Sequence, residues 1–172
     1  LPAETFFRPP EISQAVLSPS GRWLAMSTTH VGSRIALVVF DLRDWGQVKL
    51  AASFSDADIR RFEWVNDERL VFTITDHQSP SSEQLGLGLF AIDREGQQPI
   101  QQLIRRQEAE SAGATRIQER GKGLSPYHRF HSALRDGSAD VLVQRLVIGS
   151  GQEIVHRELL RLNWARPLGD IA

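Results

Sequence analysis

The sequence predicts an all-β fold, a partial β-propeller of about three four-stranded antiparallel blades. Three observations predict it: short apolar runs separated by polar turns, a four-strand pattern that returns after about 47 residues, and the lack of a strong helical pattern. The repeat of a whole four-strand unit favours a propeller over the alternative, a β-sandwich built from similar short strands.

The first predicted blade covers residues 15–52, after an N-terminal arm of residues 1–14. Pro19 and Gly21 mark a tight corner after the first strand, because proline presets φ and glycine accepts a left-handed conformation. Gly46 is predicted to form the turn before the fourth strand. The third run is apolar at every position, which predicts a strand covered on both faces. The four expected strands are residues 15–17, 23–26, 35–40 and 48–52.

The second predicted blade covers residues 61–104 and repeats this order, with a polar corner at residues 65–68 and a late turn at Gly96. A third, incomplete blade is expected over residues 127–172, with its corner at residues 135–138. Residues 105–126 between them predict an exposed, mobile inter-blade insertion, since apolar residues are too sparse there for a buried helix face.

Composition excludes several function classes. The 172 residues are 41% hydrophobic and 24% charged, with a formal net charge of −1, which is typical of a globular domain with a real core. Two lysines, Lys49 and Lys122, and no long basic run argue against nucleic acid as a partner. No cysteine is present, so disulfides and thiolate metal sites are excluded. No apolar run approaches the roughly 20 residues that span a bilayer.

The sequence gives only indirect indications of the cellular location. The chain begins at Leu1 without a methionine, as a chain does after removal of a signal peptide. Together with the lack of cysteine, this start is compatible with export, and we expect a periplasmic or secreted protein, with the cytoplasm as the alternative.

No catalytic residue is predicted. Serine hydrolysis needs a G-x-S-x-G elbow between a strand and a helix, with an acid and a histidine. The nearest string, Gly149, Ser150 and Gly151, lacks that spacing and lies between predicted strands, so we expect a flexible hairpin tip. No histidine has a consistent relation to a serine and an acid; the five are His30, His77, His128, His131 and His156.

No metal or cofactor is predicted either. His128 and His131 form a pair without a marked third ligand. Residues 120–123 (R-G-K-G) lack the spacing and the following helix of a phosphate-binding loop. The corner residues match no calcium loop and are expected to be solvated turns; they are Asp56, Asp58, Asn66, Asp67 and Glu68.

The four tryptophans admit two interpretations, a platform for carbohydrate or peptide, or packing between blades. Trp23 and Trp64 have apolar strand neighbours, which favours inter-blade packing. Trp45 and Trp164 follow the ends of third strands and are expected at exposed blade edges.

Three segments resemble a known family. Residues 6–27 (F-F-R-P-P-E-I-S-Q-A-V-L-S-P-S-G-R-W-L-A-M-S) are similar to the opening of the non-catalytic half of prolyl oligopeptidase-family serine peptidases, in the bacterial dipeptidyl aminopeptidase and acylaminoacyl peptidase-like branch. Residues 62–72 (F-E-W-V-N-D-E-R-L-V-F) resemble the W-x-x-D-x-R-L run that opens a blade there. Residues 133–143 resemble a later corner. The S-P-x-G-R corner is shared with TolB-type propellers.

The resemblance implies a propeller that caps an α/β-hydrolase domain and restricts the access of peptides to it. The hydrolase domain, which would carry the catalytic triad, is not present in this chain, so the chain itself is expected to be non-catalytic within a parent serine peptidase. Its implied partners are that domain, the remaining blades and short peptide substrates. Open blade faces would also allow self-association. The alternative function is a TolB-like, protein-binding scaffold of the cell envelope; a non-peptidase enzyme with a loop site finds no supporting residues.

Overall fold

A computed structural model describes residues 11–29, 34–79, 87–106, 123–151 and 153–163. Within these ranges every element of regular secondary structure is a β-strand, and the strands form three antiparallel sheets of three or four strands. The predicted all-β fold class is confirmed. The described residues include no helix long and apolar enough to cross a membrane.

The first sheet contains four strands in chain order: β1 (Ile12–Leu17), β2 (Trp23–Thr28), β3 (Ala36–Asp41) and β4 (Asp44–Ala52). Gly21 adopts a φ of 72° at the corner between β1 and β2. The prediction of a turn at Gly46 was wrong, because Gly46 lies inside β4. The carboxylate of Asp41 accepts the backbone N–H of Arg43 at 3.0 Å, and this short Asx turn reverses the chain earlier than expected.

The second sheet also follows chain order: β5 (Asp58–Asn66), β6 (Arg69–Thr75), β7 (Leu89–Asp93) and β8 (Gln101–Ile104). Its first strand begins at Asp58, before the predicted start at residue 61, as β1 begins before residue 15. The Gly96 turn lies where the sequence predicted it, with a φ of 67°.

The third sheet has three strands: β9 (His128–Ala133), β10 (Asp140–Ile148) and β11 (Ile154–Asn163), with β10 in the centre. Gly149, Ser150 and Gly151 lie at the turn between β10 and β11, as predicted. Most of the predicted insertion, residues 107–122, lies outside the described residues. Of its first residues, Arg105 is exposed and Arg106 is buried.

The sheets stack side to side, with β1 against β5 and β5 against β9. The second sheet therefore packs on both faces: Leu70 and Phe72 belong to the apolar cluster shared with the first sheet, and Val71 to the cluster shared with the third. This alternation is what the period-two side-chain pattern of a doubly covered strand requires. It explains why β7 of the second sheet is apolar at every position except its last, Asp93.

The side chains of Trp64 and Gln14 are among those that form hydrogen bonds across the first interface. The indole N–H of Trp64 donates to the Val16 carbonyl at 3.0 Å. The Gln14 amide donates to the Phe62 carbonyl at 2.9 Å and accepts the Phe62 N–H at 3.2 Å. The guanidinium groups of Arg22 and Arg94 both contact the ring of Trp23, with Cζ at 4.6 and 4.3 Å from its centroid.

The tryptophan predictions follow from these contacts. Trp23 and Trp64 are buried between the first and second sheets, so the prediction of inter-sheet packing is confirmed. Trp45 is 65% exposed at the edge of the first sheet. Trp164 lies outside the described residues.

Candidate functional site

The corners that join the first two strands of each sheet meet at one end of the stack. They border a groove of about 390 Å³, a size within the usual range of small-molecule sites. We call it the corner groove. Its lining comes from all three sheets and includes Pro19, Asn66, Asp67, Glu68, Arg135 and Gly137.

Hydrogen bonds join the three corners to one another. The backbone N–H of Ser20 donates to Asp67 Oδ1 at 3.0 Å, which connects the first and second corners. The Asn66 side chain donates to the Ser138 carbonyl at 3.3 Å, which connects the second and third. Arg94 supports the central corner by donating to the Asp67 carbonyl at 2.9 Å. The walls of the groove are therefore tied together across both sheet interfaces.

The central corner supplies negative charge. The N–H of Ser20 lowers the pKa of the Asp67 carboxyl, and this effect outweighs the opposing effect of partial burial. Asp67 is consequently an anion at neutral pH. Glu68 is exposed beside it, and no described residue forms a hydrogen bond or ion pair with its carboxylate.

The third corner supplies positive charge from a strained backbone position. Arg135 has a φ of 56°, in the left-handed region that glycine tolerates best. Its side chain is 67% exposed and lies 3.4 Å from Glu63 Oε1, a long contact for an ion pair. A guanidinium carries five N–H donors, so most of the hydrogen-bonding capacity of Arg135 is available to solvent or a ligand.

A second polar cluster lies at the opposite end of β5 and β6. Asp58 is buried there and accepts hydrogen bonds from Arg34 Nη1 at 3.0 Å, the Ile35 N–H at 2.9 Å and the His77 N–H at 3.1 Å. The prediction that Asp58 lies in a solvated turn was wrong. Its carboxylate replaces water with three donors, which makes its burial tolerable.

Asp76 completes this cluster. Burial raises the pKa of its carboxyl, but hydrogen bonds from Ser79 and Arg34 outweigh burial and the pKa falls to about 2. Arg34 Nη1 lies 2.5 Å from Asp76 Oδ1. Because the charges are saturated by neighbours, we interpret this cluster as a structural tie between β2–β3 and β5–β6 rather than a site for a ligand.

The histidines that the structure describes contact separate partners. His128 Nδ1 lies 3.1 Å from Ser125 Oγ, His131 Nδ1 lies 3.1 Å from Ser132 Oγ, and His156 Nε2 lies 3.2 Å from Glu158. The part of the chain that the structure describes contains no group of three potential metal ligands. His30 and residues 120–122 lie outside it.

The sequence analysis placed Asp67 and Glu68 in a polar corner but did not predict the groove or the position of Arg135 beside it. The four-strand repeat in the sequence contained the information needed to predict that the corners meet. Equivalent corners of stacked units come to the same end of the stack, so the three corners had to be neighbours once side-to-side packing was assumed.

Comparisons with known proteins bear on the fold. No family model and no curated protein sequence matches the chain. Among solved structures, the chain is similar to an acylaminoacyl peptidase in complex with Z-Gly-Gly-Phe-chloromethyl ketone, with a TM-score of 0.56 and 12% identity over 95% of this chain and 25% of that chain. It thus spans about a quarter of that protein. A conserved lipoprotein from Clostridium novyi NT gives a TM-score of 0.46 at 14% identity, over 91% of this chain and 89% of that chain, which is too low to support an argument.

Proposed function

We propose that the chain is a non-catalytic propeller portion of a serine oligopeptidase or exopeptidase, which restricts the access of peptides to a hydrolase domain not present in this chain. The observation that carries the proposal is the likeness of the three stacked sheets to an acylaminoacyl peptidase over 95% of this chain. The resemblance noted for residues 6–27 and 62–72 is the reason for choosing this family.

A stack of this kind would act by shape. Apolar side chains are buried between neighbouring sheets. Hydrogen bonds such as that from the Ser20 N–H to Asp67 hold the corners of neighbouring sheets at fixed separations. A rim of rigid corners admits a short peptide and excludes a folded protein without any conformational step. The contribution of the chain is then a size filter, and the chemistry belongs to the hydrolase domain.

The test uses the product of the natural gene. We expect that product to react with a fluorophosphonate serine probe and to cleave chromogenic di- and tripeptides, with a rate that falls steeply as the peptide lengthens. The 172-residue chain alone should not react with the probe. A gene product that neither reacts with the probe nor cleaves peptides would overturn the proposal and favour the envelope scaffold. Fractionation of the cell tests the proposed periplasmic or secreted location.

We also propose that copies of the chain associate through the outer face of the first sheet. Its inner residues pack on the second sheet, so the alternate residues of each strand point away from it. The register aligns them in two apolar rows, Leu17, Leu24, Phe40 and Val48, and Ala15, Met26, Val38 and Leu50.

The exposure of several residues in these rows supports the proposal. Leu17, Val48 and Leu50 are 54, 53 and 45% exposed, whereas Val38 in the second row is buried. The outer face of the third sheet is less suitable, because charged side chains such as Arg161, opposite Leu142, interrupt its apolar residues. Two copies of the chain are therefore expected to meet through their first sheets.

A further inference from the structure

We propose that the edge of the stack formed by β1, β5 and β9 binds an acidic peptide through the side-chain carboxylates of that peptide. Each of these strands lies at the edge of its own sheet. Because β1 lies against β5 and β5 against β9, the three strands form one surface, which we call the inner edge. The choice of a peptide as the ligand rests on the function proposed above, whereas the positive charge of the inner edge does not.

A β-bulge interrupts each of the three strands. The pairing of each strand with its neighbour skips one residue, which is Ser13 in β1, Arg60 in β5 and His131 in β9. All three residues are exposed. Bulges often lie beside active sites, where they change the direction of a side chain. A bulge that recurs in every strand of one edge therefore marks that edge as a candidate binding surface.

Contacts between the strands place the three bulges side by side. The Gln14 amide donates to the Phe62 carbonyl at 2.9 Å, which aligns β1 with β5. The Asn66 amide donates to the Ser138 carbonyl at 3.3 Å, which aligns β5 with the corner after β9. The bulged residues of neighbouring strands are as far apart in the chain as these bonded pairs, to within one residue. They therefore lie next to one another along the inner edge.

The bulge in β5 exposes two adjacent arginines. Both faces of the second sheet are covered, so regular alternation would direct consecutive side chains of β5 into opposite interfaces. An extra residue interrupts this alternation. Arg60 and Arg61 are both exposed, although Ile59 before them and Phe62 after them are buried. The bulge thus places two guanidinium groups at the surface where the covered strand would otherwise bury them.

The inner edge carries unpaired positive charge. Within the part of the chain that the structure describes, no residue forms a hydrogen bond or ion pair with the guanidinium groups of Arg60, Arg61 or Arg129. The acidic residues of the three strands are Asp58 and Glu63, and each of them already contacts another arginine. The whole chain has a formal net charge of −1, so this local excess of positive charge attracts anions to the edge specifically.

The distribution of these charges favours an extended ligand over a compact anion. Arg60 and Arg61 lie on β5 and Arg129 lies on β9, so the guanidinium groups are spread along an exposed edge. A single phosphate or carboxylate reaches only part of such a surface, whereas a chain with several carboxylates contacts arginines of both strands. Each guanidinium can bind a carboxylate through two parallel hydrogen bonds. The proposed filter would then select peptides by charge as well as by size.

Binding is tested on the 172-residue chain, labelled with 15N and titrated by NMR with N-acetyl triaspartate amide, a peptide without charged ends. We expect saturable shifts of the amide signals of Arg60, Arg61, Arg129 and His131. N-acetyl triasparagine amide has the same shape without the carboxylates and should bind at least roughly tenfold more weakly. Raising the ionic strength from about 0.01 M to about 1 M should weaken the binding of the triaspartate peptide, because the screening length falls from about 30 Å to about 3 Å.

Three results of this titration would overturn the proposal. The first is equal binding of the aspartate and asparagine peptides. The second is the lack of saturable binding of the triaspartate peptide at low ionic strength. The third is tighter binding of inorganic phosphate than of the triaspartate peptide, which would assign the edge to a compact anion.

Variants locate the ligand. The double variant Arg60→Gln/Arg61→Gln should weaken triaspartate binding at least roughly tenfold and leave the melting temperature unchanged, because both side chains are exposed. Arg157→Gln is the matched control, since it removes an exposed arginine of β11, at the opposite edge of the third sheet. It should change neither quantity. An equal loss of binding with Arg157→Gln would show that the peptide responds only to the overall charge and would refute the assignment.

This experiment is independent of the hydrolase. A gene product that lacks a reactive serine would contradict the proposed function and leave the binding of acidic peptides by the inner edge measurable. Conversely, an active peptidase whose inner edge does not distinguish the aspartate peptide from the asparagine peptide would contradict the inference alone.

Discussion

The turn between β7 and β8 lies so close to the first sheet that a methyl group at Gly96 has no room. A Cβ atom there would be 2.2 Å from the Leu50 carbonyl oxygen and 3.0 Å from Ala51 Cα, both of them backbone atoms of β4. Gly96 also has a φ of 67°. The variant Gly96→Ala therefore combines a conformational cost with a steric conflict at the interface between two sheets.

The two costs can be estimated separately. Alanine in the left-handed region costs about 1 kcal/mol, and a buried overlap that the backbone must relieve costs about 1–3 kcal/mol. We expect Gly96→Ala to lose roughly 3 kcal/mol of unfolding free energy and about 6–12 °C in melting temperature. Gly137→Ala is the matched control, since its φ is 82° but nothing lies within 4 Å of its Cβ. It should lose only about 1 kcal/mol.

Urea denaturation followed by tryptophan fluorescence gives the unfolding free energy of both variants. It is obtained from the denaturation midpoint and the dependence of the unfolding free energy on urea concentration. The difference between the two variants isolates the steric term, because both carry the same conformational penalty. Equal losses for Gly96→Ala and Gly137→Ala would refute the close approach of the β7–β8 turn to β4, and with it the packing of the first sheet on the second.

Three further predictions concern single contacts. Trp64→Phe loses the indole hydrogen bond to the first sheet and should cost about 1–2 kcal/mol in urea denaturation, while Trp45→Phe at an exposed edge should be neutral. Asp76 has its pKa lowered to about 2 from 3.8, so its anion stabilises the fold above about pH 4 and this stability is lost as the pH falls towards 2. Asp76→Asn should be less stable by about 2 kcal/mol at pH 7 and should flatten the acid limb of the stability curve. Val48→Lys should reduce self-association in sedimentation velocity, and Leu159→Lys on the third sheet should not.

Each of these predictions has a contradicting result. Equal effects of the two tryptophan variants would place Trp64 outside the interface. If the stability of Asp76→Asn falls with decreasing pH as steeply as that of the wild type, the Asp76 carboxylate does not stabilise the folded state through its charge. A wild-type chain that sediments as a monomer at every concentration, or a stronger effect of Leu159→Lys than of Val48→Lys, would refute association through the first sheet.

The all-β fold was predictable because its signal is local and repeated. Pro19 and Gly21 at the first corner, the apolar runs of the strands and Gly96 in the turn after β7 each determine the structure of only a few neighbouring residues. Gly46 was misjudged because the Asp41 carboxylate, not a glycine, forms the turn after β3. Composition alone does not distinguish these two ways of reversing a chain.

The buried polar cluster and the corner groove were less predictable, since both depend on contacts between sheets. The sequence suggests that Asp58 is a loop acid, but in the structure it is buried and accepts hydrogen bonds from Arg34, Ile35 and His77. Asp67 and Arg135 are far apart in the chain and become neighbours through stacking. The sequence shows that these residues are charged, but it does not show which residues of other sheets they lie beside.

The central claim is that consecutive sheets stack side to side, and the most direct test is the environment of the Trp64 indole. In NMR spectra its N–H should exchange slowly with water and give nuclear Overhauser effects to Val16 and Leu17, because it donates to the Val16 carbonyl at 3.0 Å. A rapidly exchanging indole N–H with effects only to residues of the second sheet itself would contradict the stacking of the first two sheets.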